Sequence, residues 1–270
     1  MEWFEAIILG LVQGLTEFLP VSSSGHLEIG KEVLGVNTPD DLMFTTMVHA
    51  ATVLSTILVF RKQILDLIKG FFKFKYNDQT DYVLKIALSI IPVMIVGLWF
   101  KKHVEALFGS IQVVGYALMV TAVLLFLSDR VSRSSSSVIK PSAKEARNGI
   151  SYWQAFVVGL GQALAVIPGL SRSGTTISTG LICGVRREVI AQFSFLMVLI
   201  PILGESFLEL VGGEFASSSI GALPLVLGFV SAFLSGLFAC KVMIALVKKA
   251  KLGWFALYCL VAAASIFIFG

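Results

Sequence analysis

Six apolar runs, at about 41–60, 83–100, 111–128, 189–208, 221–241 and 253–269, limit what this chain can fold into more than any other feature. Crossing about 30 Å of hydrocarbon takes roughly 20 helical residues, and backbone in lipid must satisfy its own hydrogen bonds. The runs therefore predict an all-α, polytopic membrane protein with six transmembrane helices. Residues are 56% hydrophobic and only 14% charged, where a soluble domain carries about 25% charged residues. The net charge of +4 is too small for nucleic-acid binding and suits basic loops facing a cytoplasm. Membrane lipids, and no nucleic acid, are the expected surroundings. Cys183, Cys240 and Cys259 lie in apolar runs without metal-ligand spacing, which argues against a disulfide framework or a zinc site.

Loop charge sets an orientation. Arg61, Lys62, Lys69, Lys73 and Lys75 crowd one loop, and Arg130, Arg133, Lys140, Lys144 and Arg147 another two spans later; both are expected in the cytoplasm. Arg186, Arg187, Lys248, Lys249 and Lys251 fall on the same side, and Glu205, Glu209 and Glu214 in a loop on the other. Lys101 and Lys102 alone dissent. Both termini are then expected outside. The start, MEWFEAIILG, has two acids and no basic segment, so it is expected to stay in the mature protein.

Two further stretches, 3–37 and 150–185, are apolar but interrupted by FLPVSSSGH and VIPGLSRSGTT. Proline and glycine break helices, and irregular backbone at membrane depth survives only where protein or a watery cavity satisfies it. Each stretch is expected to be a broken, re-entrant helix pair. A shift of 149 aligns Gly10 with Gly159, Gln13 with Gln162, Ser22 with Ser171, Ser24 with Ser173 and Gly25 with Gly174. Three spans follow each pair, so the second copy is upside down: an inverted-topology repeat within a single integral membrane domain, 1–270. Residues 1–130 form the first repeat, 150–270 the second, and the Ser-rich stretch 131–149 a cytoplasmic linker. Such repeats place ligands at their interface, where 13–26 and 162–176 should meet.

Gln13 and Glu17 share a helix face. A carboxylate in an apolar segment marks a pathway or site, or pairs with a neighbour, and Glu17 is the leading candidate for chemistry. Ser22, Ser23, Ser24, Gly25 and His26 add hydroxyls, backbone N–H groups and an imidazole; they cap a helix or, with Glu17, build a nucleophile and its acid or base. On the facing segment Arg172 sits among Ser171, Ser173, Gly174, Thr175 and Thr176, an arrangement for a phosphate or carboxylate, or for a structural pair with Glu17. For a pyrophosphate, a divalent cation is expected, with Glu17 its nearest ligand. His49, in FTTMVHAATVLS, is expected to be a packed histidine and His103 a loop residue.

On QGLTEFLPVSSSGH at 13–26 and PGLSRSGTT at 168–176, the chain resembles the undecaprenyl pyrophosphate phosphatases of the bacitracin-resistance type, and the resemblance spans nearly the whole sequence. It implies a multi-pass enzyme of the bacterial inner membrane that removes the terminal phosphate of undecaprenyl pyrophosphate. The product is the monophosphate carrier for peptidoglycan and envelope glycans, and raised enzyme levels protect against bacitracin. It also implies a divalent metal, Mg²⁺ first and Ca²⁺ as an alternative, and leaves room for a homodimer. By motif position the family's acidic pair falls on Gln13 and Glu17, its candidate nucleophile on Ser23, its histidine on His26 and its phosphate-binding arginine on Arg172, flanked by Ser171, Ser173 and Thr176. Many members have glutamate where this chain has Gln13, which puts more weight on Glu17. A transporter or flippase of a polyprenyl phosphate or other anion is the competing expectation, because inverted repeats also serve alternating access.

Overall fold

The computed structural model describes residues 1–36, 41–107, 110–134, 146–211, 220–249 and 251–269. Among them it contains helices and no strands: α1 (Trp3–Phe18), α2 (Ser23–Leu34), α3 (Asp41–Val59), α4 (Arg61–Phe71), α5 (Asp78–Trp99), α6 (Lys101–Glu105), α7 (Ile111–Ser134), α8 (Tyr152–Leu164), α9 (Arg172–Ile182), α10 (Arg187–Val211), α11 (Ala222–Lys249) and α12 (Gly253–Phe269). A helix occupies each of the six apolar runs. Four, Asp78–Trp99, Ile111–Ser132, Arg187–Gly204 and Ala222–Val247, are long and apolar enough to cross a membrane. Met43–Val59 with Arg61–Phe71 makes a fifth if that pair, bent by 75°, is one span. The last run forms the shorter α12. The chain is a multi-pass helical membrane protein.

Three expectations change. The basic stretch from Arg61 is not a loop but the helix α4, because Ile64, Leu65, Leu67, Ile68 and Phe71 recur at helical spacing between the lysines. Glu205 and Glu209 lie inside α10, not in a loop, and Glu214 is outside the described residues. The linker expected over 131–149 begins within α7 and ends in a 3₁₀ turn at Arg147–Gly149; 135–145 lie outside the described residues.

Both interruptions form where expected. Leu19 precedes a proline, which disfavours helical backbone, and it is extended at φ −71°, ψ 144°. In the second, Gly169 adopts φ +87°, and a Cβ there would press on Val114 backbone at 2.7 Å, so the turn takes glycine. Tyr152 stands 149 positions after Trp3, and Arg172 stands 149 after Ser23, so both helices of the second pair begin at the offset of the sequence match.

Small residues set the packing. A Cβ on Gly10 of α1 would collide with Ser231 Oγ and the Gly228 carbonyl of α11, and one on Gly159 of α8 would collide with Ser89 backbone of α5. Close approach through glycine and serine is how helices associate where lipid supplies no hydrophobic drive. Ser231 Oγ donates to Ile7 O at 2.8 Å, and Ser55 Oγ to Phe233 O at 2.7 Å. Near the start of α5 a buried Asp81–Lys85 pair is completed by the Arg147 carbonyl at 2.7 Å, the Asn148 amide at 2.9 Å and the Tyr76 hydroxyl at 2.8 Å. These bonds satisfy charges that would otherwise be costly to bury, and they fasten the 3₁₀ turn to α5.

Candidate active site

The first interruption gathers its polar groups on one carboxylate oxygen. Gln13 Nε2 donates to Glu17 Oε2 at 2.9 Å because the two are one helical turn apart on α1. Ser23, the first residue of α2, donates its hydroxyl to the same oxygen at 2.5 Å. His49 of α3 brings Nε2 to 3.8 Å from it. Ser22 caps α2 by accepting from Gly25 N at 3.3 Å, and its hydroxyl lies 3.3 Å from that of Ser24. It does so with φ +70°, a left-handed conformation that costs a non-glycine residue about 1 kcal/mol or more. The strained turn swings the chain from α1 into α2, so that Ser23 faces back to Glu17.

The second interruption is tied to the first directly. Ser173 Oγ donates to Leu19 O at 3.0 Å, and Gly169 N donates to Ser24 Oγ at 3.4 Å. Ser171 caps α9 by accepting from Gly174 N at 3.1 Å, and its own N–H bonds Thr121 Oγ1 at 3.1 Å. Thr176 Oγ1 donates to the Arg172 carbonyl at 2.8 Å and lies 2.5 Å from Ser194 Oγ of α10. Ser171 and Thr176 therefore hold the backbone around Arg172. No hydrogen bond among the described residues engages the Arg172 guanidinium.

Arg172 and Glu17 line one cavity, with Phe18, Thr52, Thr56, Ser173 and Ser194 also on its wall and Phe195, Val198, Leu199 and Ile202 of α10 on its apolar side. The guanidinium acts electrostatically on the carboxylate, yet no direct ion pair joins them among the described residues. The cavity measures about 30 Å³, room for a water or two.

His26 stands apart from this group. Its Nδ1 lies 2.7 Å from Ser22 O, its Nε2 lies 2.7 Å from the Tyr258 hydroxyl of α12, and the two rings stack at 5.5 Å. Both nitrogens thus have partners other than Ser23 and Glu17. His49, Thr52, Thr56, Ser194 and Tyr258 are additions to the residues picked out by motif. A signal exists for three of them: Thr45, His49, Thr52 and Thr56 fall at helical spacing along one face of α3.

A divalent cation fits the donors present. Among the described residues no three His, Cys, Asp or Glu side chains cluster, so the chain alone does not cage a metal. The Glu17 carboxylate and the fully buried amide oxygen of Gln13, which has no hydrogen-bond partner, match the usual Mg²⁺ arrangement. There, one or two carboxylates act together with substrate phosphates and water.

Residues 6–265 match the family described as bacitracin resistance protein BacA. Relatives carrying the name undecaprenyl-diphosphatase include one from Bacteroides fragilis, 52% identical over 96% of this chain and 95% of the relative. Another, from Bacteroides thetaiotaomicron, is 51% identical over 99% of both. A more distant one, from Methanococcus vannielii, is 36% identical over 96% of this chain and 97% of the relative.

Proposed function

We infer the activity of this chain from its family: it belongs to the bacitracin resistance protein BacA family, and it is an undecaprenyl-diphosphatase. It hydrolyses undecaprenyl pyrophosphate to undecaprenyl phosphate and inorganic phosphate. This recycles the lipid carrier of peptidoglycan and envelope glycan synthesis and confers bacitracin resistance. The observation that carries the chemistry is a carboxylate, Glu17, that accepts the Ser23 hydroxyl at 2.5 Å and lines one cavity with an uncommitted arginine.

In the mechanism we propose, Arg172 takes two oxygens of the diphosphate through its planar fork. Ser173, on the cavity wall with Arg172, orients the headgroup, while the caps that Gly25 N and Gly174 N make to Ser22 and Ser171 hold the two turns that carry Ser23 and Arg172. Ser23, or a water it positions, attacks the terminal phosphorus in line while Glu17 accepts the proton; the bond to the bridging oxygen breaks, and undecaprenyl phosphate leaves. If Ser23 attacks, Glu17 passes its proton to the departing undecaprenyl phosphate; water then releases phosphate from the phosphoserine, with Glu17 taking a proton from the water and returning it to the Ser23 oxygen as that P–O bond breaks. His26 ties the Ser22 turn to Tyr258 of α12. A bound Mg²⁺ or Ca²⁺, held by Glu17 and Gln13, would neutralise charge building on the phosphate oxygens.

The two halves, 1–130 and 150–270, are taken as an inverted repeat in the bacterial inner membrane with both termini outside. That orientation rests on the basic residues around α4 and after α7, and single-cysteine labelling from outside intact cells tests it. The activity is tested by phosphate release from a polyprenyl diphosphate by the purified chain in detergent. Movement of intact lipid across vesicles without phosphate release would favour a transporter instead.

A further inference from the structure

His49 is the one imidazole that faces the carboxylate at the centre of the site, and its setting is specific. Nδ1 lies 2.8 Å from the carbonyl of Thr45, one turn back on α3. A carbonyl only accepts, so the ring proton sits on Nδ1. Nε2 is the nitrogen that faces Glu17 Oε2, 3.8 Å away, with the two side chains only 13% and 10% exposed. That separation is too long for a hydrogen bond. A carboxylate this poorly hydrated favours positive charge in the gap, carried by a proton on Nε2 or by a metal ion. The gap is short enough for one cation to lie about 2.0–2.2 Å from each atom. Histidine metal ligands also commonly donate their other ring N–H to a backbone carbonyl, which fixes the tautomer, as Thr45 does here.

We propose that His49 is a second protein ligand, with Glu17, of the divalent cation used by this site. An imidazole nitrogen joins the oxygen set, so the preference shifts from Mg²⁺ and Ca²⁺ toward Mn²⁺, Co²⁺ or Zn²⁺. The inference rests on the phosphatase assignment above and extends it to a residue outside both motifs.

Mn²⁺ is the probe. The full chain, purified in detergent without a histidine tag, is titrated with Mn²⁺ alone and with methylenediphosphonate, and the bound ion is examined by pulsed electron paramagnetic resonance for coupling to imidazole nitrogen. The sequence holds three histidines, so the source can be assigned. Nitrogen coupling is expected in the unaltered chain and in a His26→Gln, His103→Gln double variant. In His49→Gln the coupling is lost and Mn²⁺ affinity falls at least about tenfold. If His49→Gln does not elute as a folded species, coupling retained in the double variant decides by elimination. The proposal is overturned if bound Mn²⁺ shows no nitrogen coupling, if the coupling persists in folded His49→Gln, or if Mn²⁺ binds neither alone nor with the diphosphonate. Phosphate release by the same preparation is scored separately: activity without nitrogen coupling sinks the role of His49 alone, and coupling without activity sinks the phosphatase assignment alone.

Discussion

Where α1 gives way to α2, position 17 is glutamate, 23 is serine and 26 is histidine; at the same offsets after α8, positions 166, 172 and 175 are valine, arginine and threonine. The frame around these differences is shared. Each pair breaks next to a proline, restarts on a serine cap and presses a glycine against a neighbouring helix. In the proposed mechanism two similar supports divide the chemistry, with the proton-accepting group on one and the anion-binding group on the other. Neither support carries both groups, and the two meet where Ser173 and Gly169 bond the first interruption.

The sharpest way to break this division is to remove its cationic side. Arg172→Ala is expected to lower kcat/KM by about 10³-fold or more, on the scale of other phosphoryl-transfer arginines. Arg172→Lys should recover only part of that, since an ammonium lacks the planar fork; phosphate release under saturating and limiting substrate measures both. Glu17→Val makes the first pair resemble the second and should cost about 10²- to 10⁴-fold in kcat. Adding Val166→Glu should restore nothing, because no serine stands at position 172. Combining Glu17→Val with Ser23→Ala should be no worse than the more damaging single change if the two act as a unit.

Smaller effects sharpen the shared frame. Gly10→Val and Gly159→Val each force side-chain atoms into a neighbouring helix and should destabilise by about 1–3 kcal/mol, read as a lowered Tm in detergent by about the same amount for both. Tyr258→Phe removes one hydrogen bond to His26, worth about 1 kcal/mol, and should reduce kcat/KM less than about tenfold. A collapse of activity in that variant would bring His26 into the chemistry.

Much of this is legible in the order of residues alone. Glu17 and Arg172 stand out because charge is expensive within an apolar segment. The interruptions stand out because Pro20, Pro168 and Gly169 cannot continue a helix. Other features stay hidden for physical reasons. The lysines of α4 look like loop composition until their spacing against Ile64, Leu65, Leu67 and Ile68 is counted. Glu205 and Glu209 suggest a loop by charge, yet α10 runs on through both. His49 reads as a packed residue along its own span, and only the approach of α3 to α1 turns its ring toward Glu17. Tyr258 sits among lipid-facing aromatics, and nothing in its neighbourhood along the chain points to His26, 232 positions away.

The glycine contacts at Gly10 and Gly159 leave no space for a side chain between α1 and α11 or between α8 and α5. Across the cavity α10 carries Phe195 to Ile202 and has Pro201 within its length, where the ring removes one backbone bond of the helix. Restoring that bond by Pro201→Ala is expected to slow turnover if admitting a headgroup requires α10 to bend, without altering an atom that touches phosphate; pre-steady-state phosphate release measures it.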